Sequence, residues 1–118
     1  MPLSFVFRTI DLDGQTLRTA VRPGTSALPP LLIFNGIGAN LELVVPFVKE
    51  LDPDLEIIAF DVPGVGGSST PSKPYRFPGL AKLAARMLDY LDYGQVNVIG
   101  VSWGGALAQQ FAYDYPER

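Results

Sequence analysis

Ser102 stands midway between Gly100 and Gly104 in the run Gly-Val-Ser-Trp-Gly-Gly, which is the Gly-x-Ser-x-Gly spacing of a nucleophile elbow. The chemistry served by that spacing is acyl transfer, in which a serine hydroxyl on a sharp turn attacks a carbonyl carbon. So tight a turn strains the serine backbone and brings the flanking segments close enough that glycine is needed to avoid a clash. By composition alone such a run arises in roughly one chain of this length in thirty, so its context has to decide. From Val96 to Val101 the residues are apolar and mostly β-branched apart from Asn97 and Gly100, which suits a buried strand. The run after Trp103 is rich in Ala, Leu and Gln, which suits a helix. Strand, serine and helix in that order favour an elbow over a glycine-rich turn without chemistry.

A serine hydroxyl becomes a good nucleophile when a neighbouring base takes its proton. The 118 residues contain no histidine to act as that base. They contain no cysteine either, which excludes a thiol nucleophile, a disulfide framework and thiolate-bound metal.

A second glycine turn, Asn35-Gly36-Ile37-Gly38-Ala39-Asn40, follows the apolar run from Leu31 to Phe34. A dinucleotide fingerprint would need a third glycine where Leu41 stands, and a Walker loop would need Gly-Lys-Ser/Thr. Two readings stay open, a plain turn and an oxyanion loop. In the second, the amides of Ile37 and Trp103 are the expected donors to the negative oxygen of a tetrahedral intermediate. A third glycine-rich turn runs from Asp61 to Thr70 without a Lys or Arg to share phosphate charge. It is expected to be structural, with Asp61 bracing the loop.

The elements that must position these turns are legible in the periodicity. Phe5 to Asp11 and Gln15 to Arg22 read as two strands joined by the hairpin turn Asp13-Gly14. Prolines make residues 23–30 a connector. Leu31 to Phe34 and Leu55 to Phe60 are short apolar runs suited to strands buried on both faces. Leu41 to Leu51 is expected to be a short amphipathic helix stopped by Asp52-Pro53. From Phe77, the residues Leu80, Leu83, Ala84, Met87, Leu88 and Leu91 fall on one helical face, and Gly94 is expected to close that helix. Tyr90, Tyr93, Tyr113 and Tyr115 cluster near helix ends and are expected to sit half exposed. A last helix is expected from Trp103 to about Tyr115. Strands alternating with helices after an opening hairpin predict an α/β fold with a mostly parallel sheet, its three glycine turns gathered at the carboxyl ends of strands.

Composition narrows the function classes. Nine basic and twelve acidic residues give a formal charge of −3, which argues against nucleic acid as a partner. Hydrophobic residues make up 47% of the chain, enough for a core of its own. The N-terminus has neither a basic start nor a long apolar stretch, and no run approaches the roughly 18 apolar residues of a membrane span. The expectation is a soluble, cytoplasmic protein with no transmembrane segment.

The runs 34–40, 61–69 and 100–105 together resemble the α/β-hydrolase fold, whose first turn is more often His-Gly where this chain has Asn35-Gly36. Within that superfamily, residues 31–40, 74–94 and 100–105 resemble the intracellular poly(3-hydroxyalkanoate) depolymerases of medium-chain-length storage polyester. The resemblance implies a serine ester hydrolase, with Ser102 as nucleophile, Ile37 and Trp103 as oxyanion donors, and Gly100 and Gly104 as the elbow glycines. It implies no metal or organic cofactor, a polyester or ester as substrate, and a storage-granule surface as a further partner. It also places the catalytic acid, the histidine and a lid well downstream. The 118 residues are thus expected to be the N-terminal half of one partial domain, probing as inactive by themselves. They are expected to self-associate through the strand that begins at Val96 and ends at Val101, left as a sheet edge. Two alternatives remain, a non-catalytic binding or interaction module that keeps the fold, and a nucleotide-binding α/β domain.

Overall fold

A computed structural model of the protein describes residues 5–36, 38–71 and 74–118. Strands β1 (Val6–Leu12) and β2 (Gln15–Arg22) form the opening hairpin. Its turn is made by Asp13 and Gly14, both at positive φ (54° and 87°), the combination a tight hairpin requires. Strands β3 (Leu31–Phe34), β4 (Ile57–Phe60) and β5 (Asn97–Gly100) complete a five-stranded sheet of order β1-β2-β4-β3-β5. β2 pairs with β4 antiparallel, whereas β3 pairs with both β4 and β5 in parallel. The expected α/β architecture is therefore present, with three parallel strands side by side and their carboxyl ends together.

The apolar runs behave as strands covered on both faces. Leu32, Phe34, Ile58 and Phe60 pack into one core with Leu83, Met87, Leu88, Leu107 and Phe111. Ile33, Ile57 and Ala59 point to the opposite face, against Leu41, Val44 and Val48. The alternation follows the two-residue period of a strand. Helices α2 (Phe77–Tyr90) and α3 (Trp103–Asp114) cover the first face. The predicted stripe of α2 is buried from Leu80 through Leu88, with Leu91 partly so.

Two expectations need correction. Residues 41–51 do not form one helix. A 3-10 turn at Leu41–Leu43 is followed by a five-residue helix, α1 (Val45–Lys49). Pro46 lies in the first turn of α1 and has no N–H to bond backwards, so a continuous helix from Leu41 would lose a rung there. The end of this short helix is held by Arg22, which is buried at 4% exposure. Its guanidinium donates to the carbonyls of Val48, Asp52 and Leu55 at 3.1, 2.6 and 2.7 Å. Nor does Gly94 close α2. Asp92 takes the left-handed conformation (φ 66°), and Tyr93 N–H reaches back to the Leu88 carbonyl at 2.8 Å. The reversal is complete two residues before the glycine.

Tyr90 is half exposed, as expected, and Tyr113 is more exposed than expected at 83%, while Tyr93 has a partner across the fold: its hydroxyl donates to Glu56, whose other oxygen accepts from Gly24 N–H at 3.1 Å. Burial, and then the Glu56 carboxylate, raise the Tyr93 pKa above its ordinary value of 10. A group whose pKa is raised by folding stabilises the fold fully below its unfolded value and loses that contribution as pH rises towards the folded one. Unfolding midpoints measured from pH 9 upwards are therefore expected to fall more steeply for the unsubstituted protein than for Tyr93→Phe. Equal slopes would refute the coupling.

β5 is one of the two edge strands of the sheet among the described residues, β1 being the other; Ile99 in β5 is 36% exposed and Val101, just beyond it, 55%. Among those residues no helix is long and apolar enough to cross a membrane.

Candidate active site

Ser102 sits at the junction of β5 and α3 with φ 55° and ψ −115° and is exposed to solvent. These angles lie outside the helical and extended basins open to a residue with a side chain, and holding them costs on the order of 1–3 kcal/mol. The serine makes no capping hydrogen bond to the helix that follows. Its hydroxyl is thus presented outward at the start of a twelve-residue helix whose N-terminal end carries about half a positive charge.

The elbow glycines are required by contacts between backbones. A Cβ on Gly100 would overlap the carbonyl of Gly104 and the nitrogen of Gly105, the approach of strand to helix that the spacing predicts. A Cβ on Gly104 would overlap the carbonyls of Phe34 and Asn35. The second glycine thus seats α3 on the end of β3, a contact with a different turn. Val101 N–H extends the register by one rung, donating to Phe34 O at 3.1 Å.

Trp103 is the first residue of α3, where an N–H has no acceptor within the helix. The next two amides are occupied, Gly104 N–H by the Val101 carbonyl at 2.9 Å and Gly105 N–H by that of Ser102 at 2.8 Å. Ile37, the other expected oxyanion donor, lies outside the described residues. The turn around it is closed by Asn35, whose Nδ2 donates to Asn40 O at 2.8 Å, and by Ala39 N–H to Gly36 O at 3.1 Å. The Asn that replaces the more usual His of this turn is thus a loop staple.

Asp61 braces two of the three turns at once. It is fully buried, and its oxygens accept from Leu41 N–H at 2.7 Å and Gly67 N–H at 2.8 Å, with Arg18 Nη1 at 3.3 Å. Arg18 continues to Glu42 through two bonds of 3.0 and 2.6 Å. That bidentate contact lowers the Glu42 pKa below the carboxylate norm and raises that of Arg18. Sequence reasoning missed Arg18, because on an alternating strand it reads as one more outward polar residue. Asp61→Asn turns one acceptor into a donor facing an N–H, and a loss of about 2 kcal/mol is expected in denaturant unfolding.

An apolar cleft of about 250 Å³ opens beside the elbow, walled by Gly38, Val62, Val65, Tyr75, Leu80 and Trp103. The Trp103 indole is held against Phe77, with ring centroids 5.3 Å apart. Among the described residues no group of three or more His, Cys, Asp or Glu could hold a metal ion.

The family described as the alpha/beta hydrolase fold matches residues 29–118. Over all 118 residues the chain is 81% identical to a poly(3-hydroxyalkanoate) depolymerase of Ectopseudomonas oleovorans, spanning 42% of that protein. Over 95 residues it is 34% identical to 3-oxoadipate enol-lactonase 2 of Acinetobacter baylyi, a match covering 80% of this chain and 36% of the lactonase. Its fold superimposes on the crystal structure of a hydrolase from Pseudomonas aeruginosa with a TM-score of 0.82 at 28% identity, covering 97% of this chain and 42% of the other. The chain therefore spans less than half the length of each of these relatives.

Proposed function

This chain belongs to the α/β-hydrolase fold family, and on that premise we propose that it is the nucleophile-bearing part of a serine ester hydrolase that depolymerises poly(3-hydroxyalkanoate). The observation that carries the reading is the strained Ser102 at the β5–α3 junction, in a chain 81% identical to a depolymerase of that polyester. In the proposed reaction Ser102 Oγ attacks the ester carbonyl and its proton passes to an imidazole. The amides of Trp103 and Ile37, with the N-terminus of α3 behind them, stabilise the oxyanion. The carbon–oxygen bond to the alcohol then breaks, the imidazole returns its proton to that alcohol, and water releases the acyl group from Ser102. The sequence holds no histidine, so the imidazole comes from outside these 118 residues, which form one partial domain. The later strands, the lid and the catalytic acid are assigned to the same outside part.

On this reading the enzyme is cytoplasmic and works at the surface of a storage granule. The 118 residues alone turn over no ester. They also self-associate through the edge strand β5, in which Ile99 is exposed and beyond which Val101 is exposed. Size-exclusion chromatography of the isolated chain is expected to show dimers or larger species, and a sharp monomer peak with a cooperative melt would refute this.

The absence of histidine is also what a fold retained for binding, with catalysis lost, would show. A fluorophosphonate probe separates the readings by intact-protein mass spectrometry. The protein expressed to the end of its reading frame is expected to label at Ser102, with Ser102→Ala blank and the 118-residue chain unlabelled. If the extended protein is folded and also fails to label, the elbow is a structural turn and the binding-module reading stands.

A further inference from the structure

The turn after β3 carries the second oxyanion donor of the proposed reaction. Its internal bonds, Asn35 Nδ2 to Asn40 O and Ala39 N–H to Gly36 O, shape the turn without fixing its far end to the rest of the fold. That end is the 3-10 turn at Leu41–Leu43, which starts from Asn40 with no capping hydrogen bond from its side chain. The first N–H of such a turn has no partner inside it. Here the partner comes from another loop, Asp61 Oδ1, which accepts from Leu41 N–H at 2.7 Å. Glu42, one residue on, accepts from both Nη atoms of Arg18, at 3.0 and 2.6 Å, and Arg18 Nη1 also reaches Asp61 Oδ2 at 3.3 Å. We propose that Arg18 and Glu42 are positioning residues for the oxyanion hole, their clasp fixing the turn after β3 against β2 before any charge develops on the substrate. The assignment rests on the hydrolase reading above and adds to it the groups that hold the second donor in place.

Arg18 is itself held rigidly. Its backbone lies in β2 and bonds the third glycine turn in both directions, its N–H donating to Ser68 Oγ at 2.9 Å and its carbonyl accepting from Asp61 N–H at 2.9 Å. Its side-chain stem fills the space beside Gly67, where an added Cβ would come within 2.4 Å of Arg18 Cδ. The Phe7 ring covers the guanidinium, with its centroid 4.7 Å away. One half of the clasp has a plain structural cause, because Asp61 is fully buried and a buried carboxylate needs a compensating charge. Glu42 has no such need. Its side chain is 56% exposed, and an ion pair so open to water adds little to stability. What its two-pronged bond to Arg18 supplies is direction. An oxyanion donor lowers the barrier because it is oriented before the negative charge appears. A turn loose at its far end would have to be ordered during the reaction, and that cost falls on the transition state and not on substrate binding.

The test uses the full-length protein and p-nitrophenyl octanoate well below the unfolding midpoint, with an alkyl trifluoromethyl ketone as an analogue of the tetrahedral oxyanion. Glu42→Ala changes an exposed side chain and leaves the Arg18–Asp61 pair in place. Its kcat is expected to fall about tenfold, less than the loss of roughly a hundredfold or more when a donor is removed outright, with KM and the thermal midpoint nearly unchanged. The inhibition constant of the ketone is expected to rise in step with the loss of kcat/KM. Glu42→Gln keeps one acceptor for Arg18 and is expected to recover part of the loss. Arg18→Lys, whose single ammonium cannot hold both Glu42 oxygens, is expected to match Glu42→Ala, and the double variant to be no slower than the slower single one. An unchanged kcat in Glu42→Ala overturns the proposal. So does a raised KM with kcat intact, because Glu42 would then bind substrate, and so does a fall in kcat without a matching loss of ketone affinity. Should Arg18→Lys fail to fold, the Glu42 variants decide alone. Failure of the unsubstituted protein to cleave the ester overturns the hydrolase reading itself and this inference with it, a result distinct from an unchanged kcat in the variant.

Discussion

Replacing Ser102 with alanine in the full-length protein is expected to lower kcat on ester substrates roughly 10⁴- to 10⁶-fold, the loss typical when the nucleophile of a catalytic triad is removed. The same position carries a second expectation of opposite sign. Ser102 is held at φ 55°, ψ −115°, the mirror image of an extended conformation, where glycine rests without strain. Ser102→Gly should therefore abolish activity and raise stability by about 1 kcal/mol, after allowance for the greater freedom of glycine in the unfolded chain. Denaturant unfolding of the two variants beside the unsubstituted protein checks both. A glycine variant less stable than the alanine variant would mean that the backbone at the elbow is not strained, and full activity in either would remove Ser102 from the mechanism.

The second large effect lies two residues on. Gly104→Ala drives a methyl group into the carbonyls of Phe34 and Asn35, both backbone atoms, so relief requires α3 to lift from the end of β3. A loss of about 3 kcal/mol or more is expected, together with loss of fluorophosphonate labelling because the elbow is displaced. Gly105 is an internal control. A Cβ there meets the Gly100 carbonyl at 3.6 Å, an ordinary contact, so Gly105→Ala should be neutral or stabilising by up to about 1 kcal/mol through helix propensity. Similar effects at the two adjacent glycines would refute the contact assigned to Gly104.

What could be read from the sequence was whatever a local pattern encodes. The short apolar runs ending at Phe34 and Phe60 were legible as strands buried on both faces, and the helical stripe of α2 emerged as drawn from Leu80 to Leu88. The strand–serine–helix context also located the strained residue. Features set by partners distant in sequence stayed hidden. Arg22 gives no sign of its role, because its three carbonyl acceptors lie in α1 and the loop after it, which β2 meets only after folding. Arg18 and Tyr93 were missed for the same reason, each being bonded to a carboxylate more than twenty residues away. The misassigned helix ends are a different case. Pro46 was visible but lay within an apolar period that outweighed it, and Asp92 occupied the left-handed position for which glycine was the obvious candidate.

The seat of Gly104 on the carbonyls of Phe34 and Asn35 divides the protein into a part that cannot drift and a part that can. Serine, helix start and the head of the loop after β3 are locked through main-chain atoms, so an added Cβ at Gly100 or Gly104 meets backbone that cannot step aside. Val65 and Tyr75 line the neighbouring cleft, and the turn that carries Val65 is tied by Asp61 to the backbone at Leu41. Substitutions at those two positions leave the seat itself untouched. Descendants of such a protein can accordingly diverge at the loops beside the cleft while the strand–turn–helix junction stays as it is.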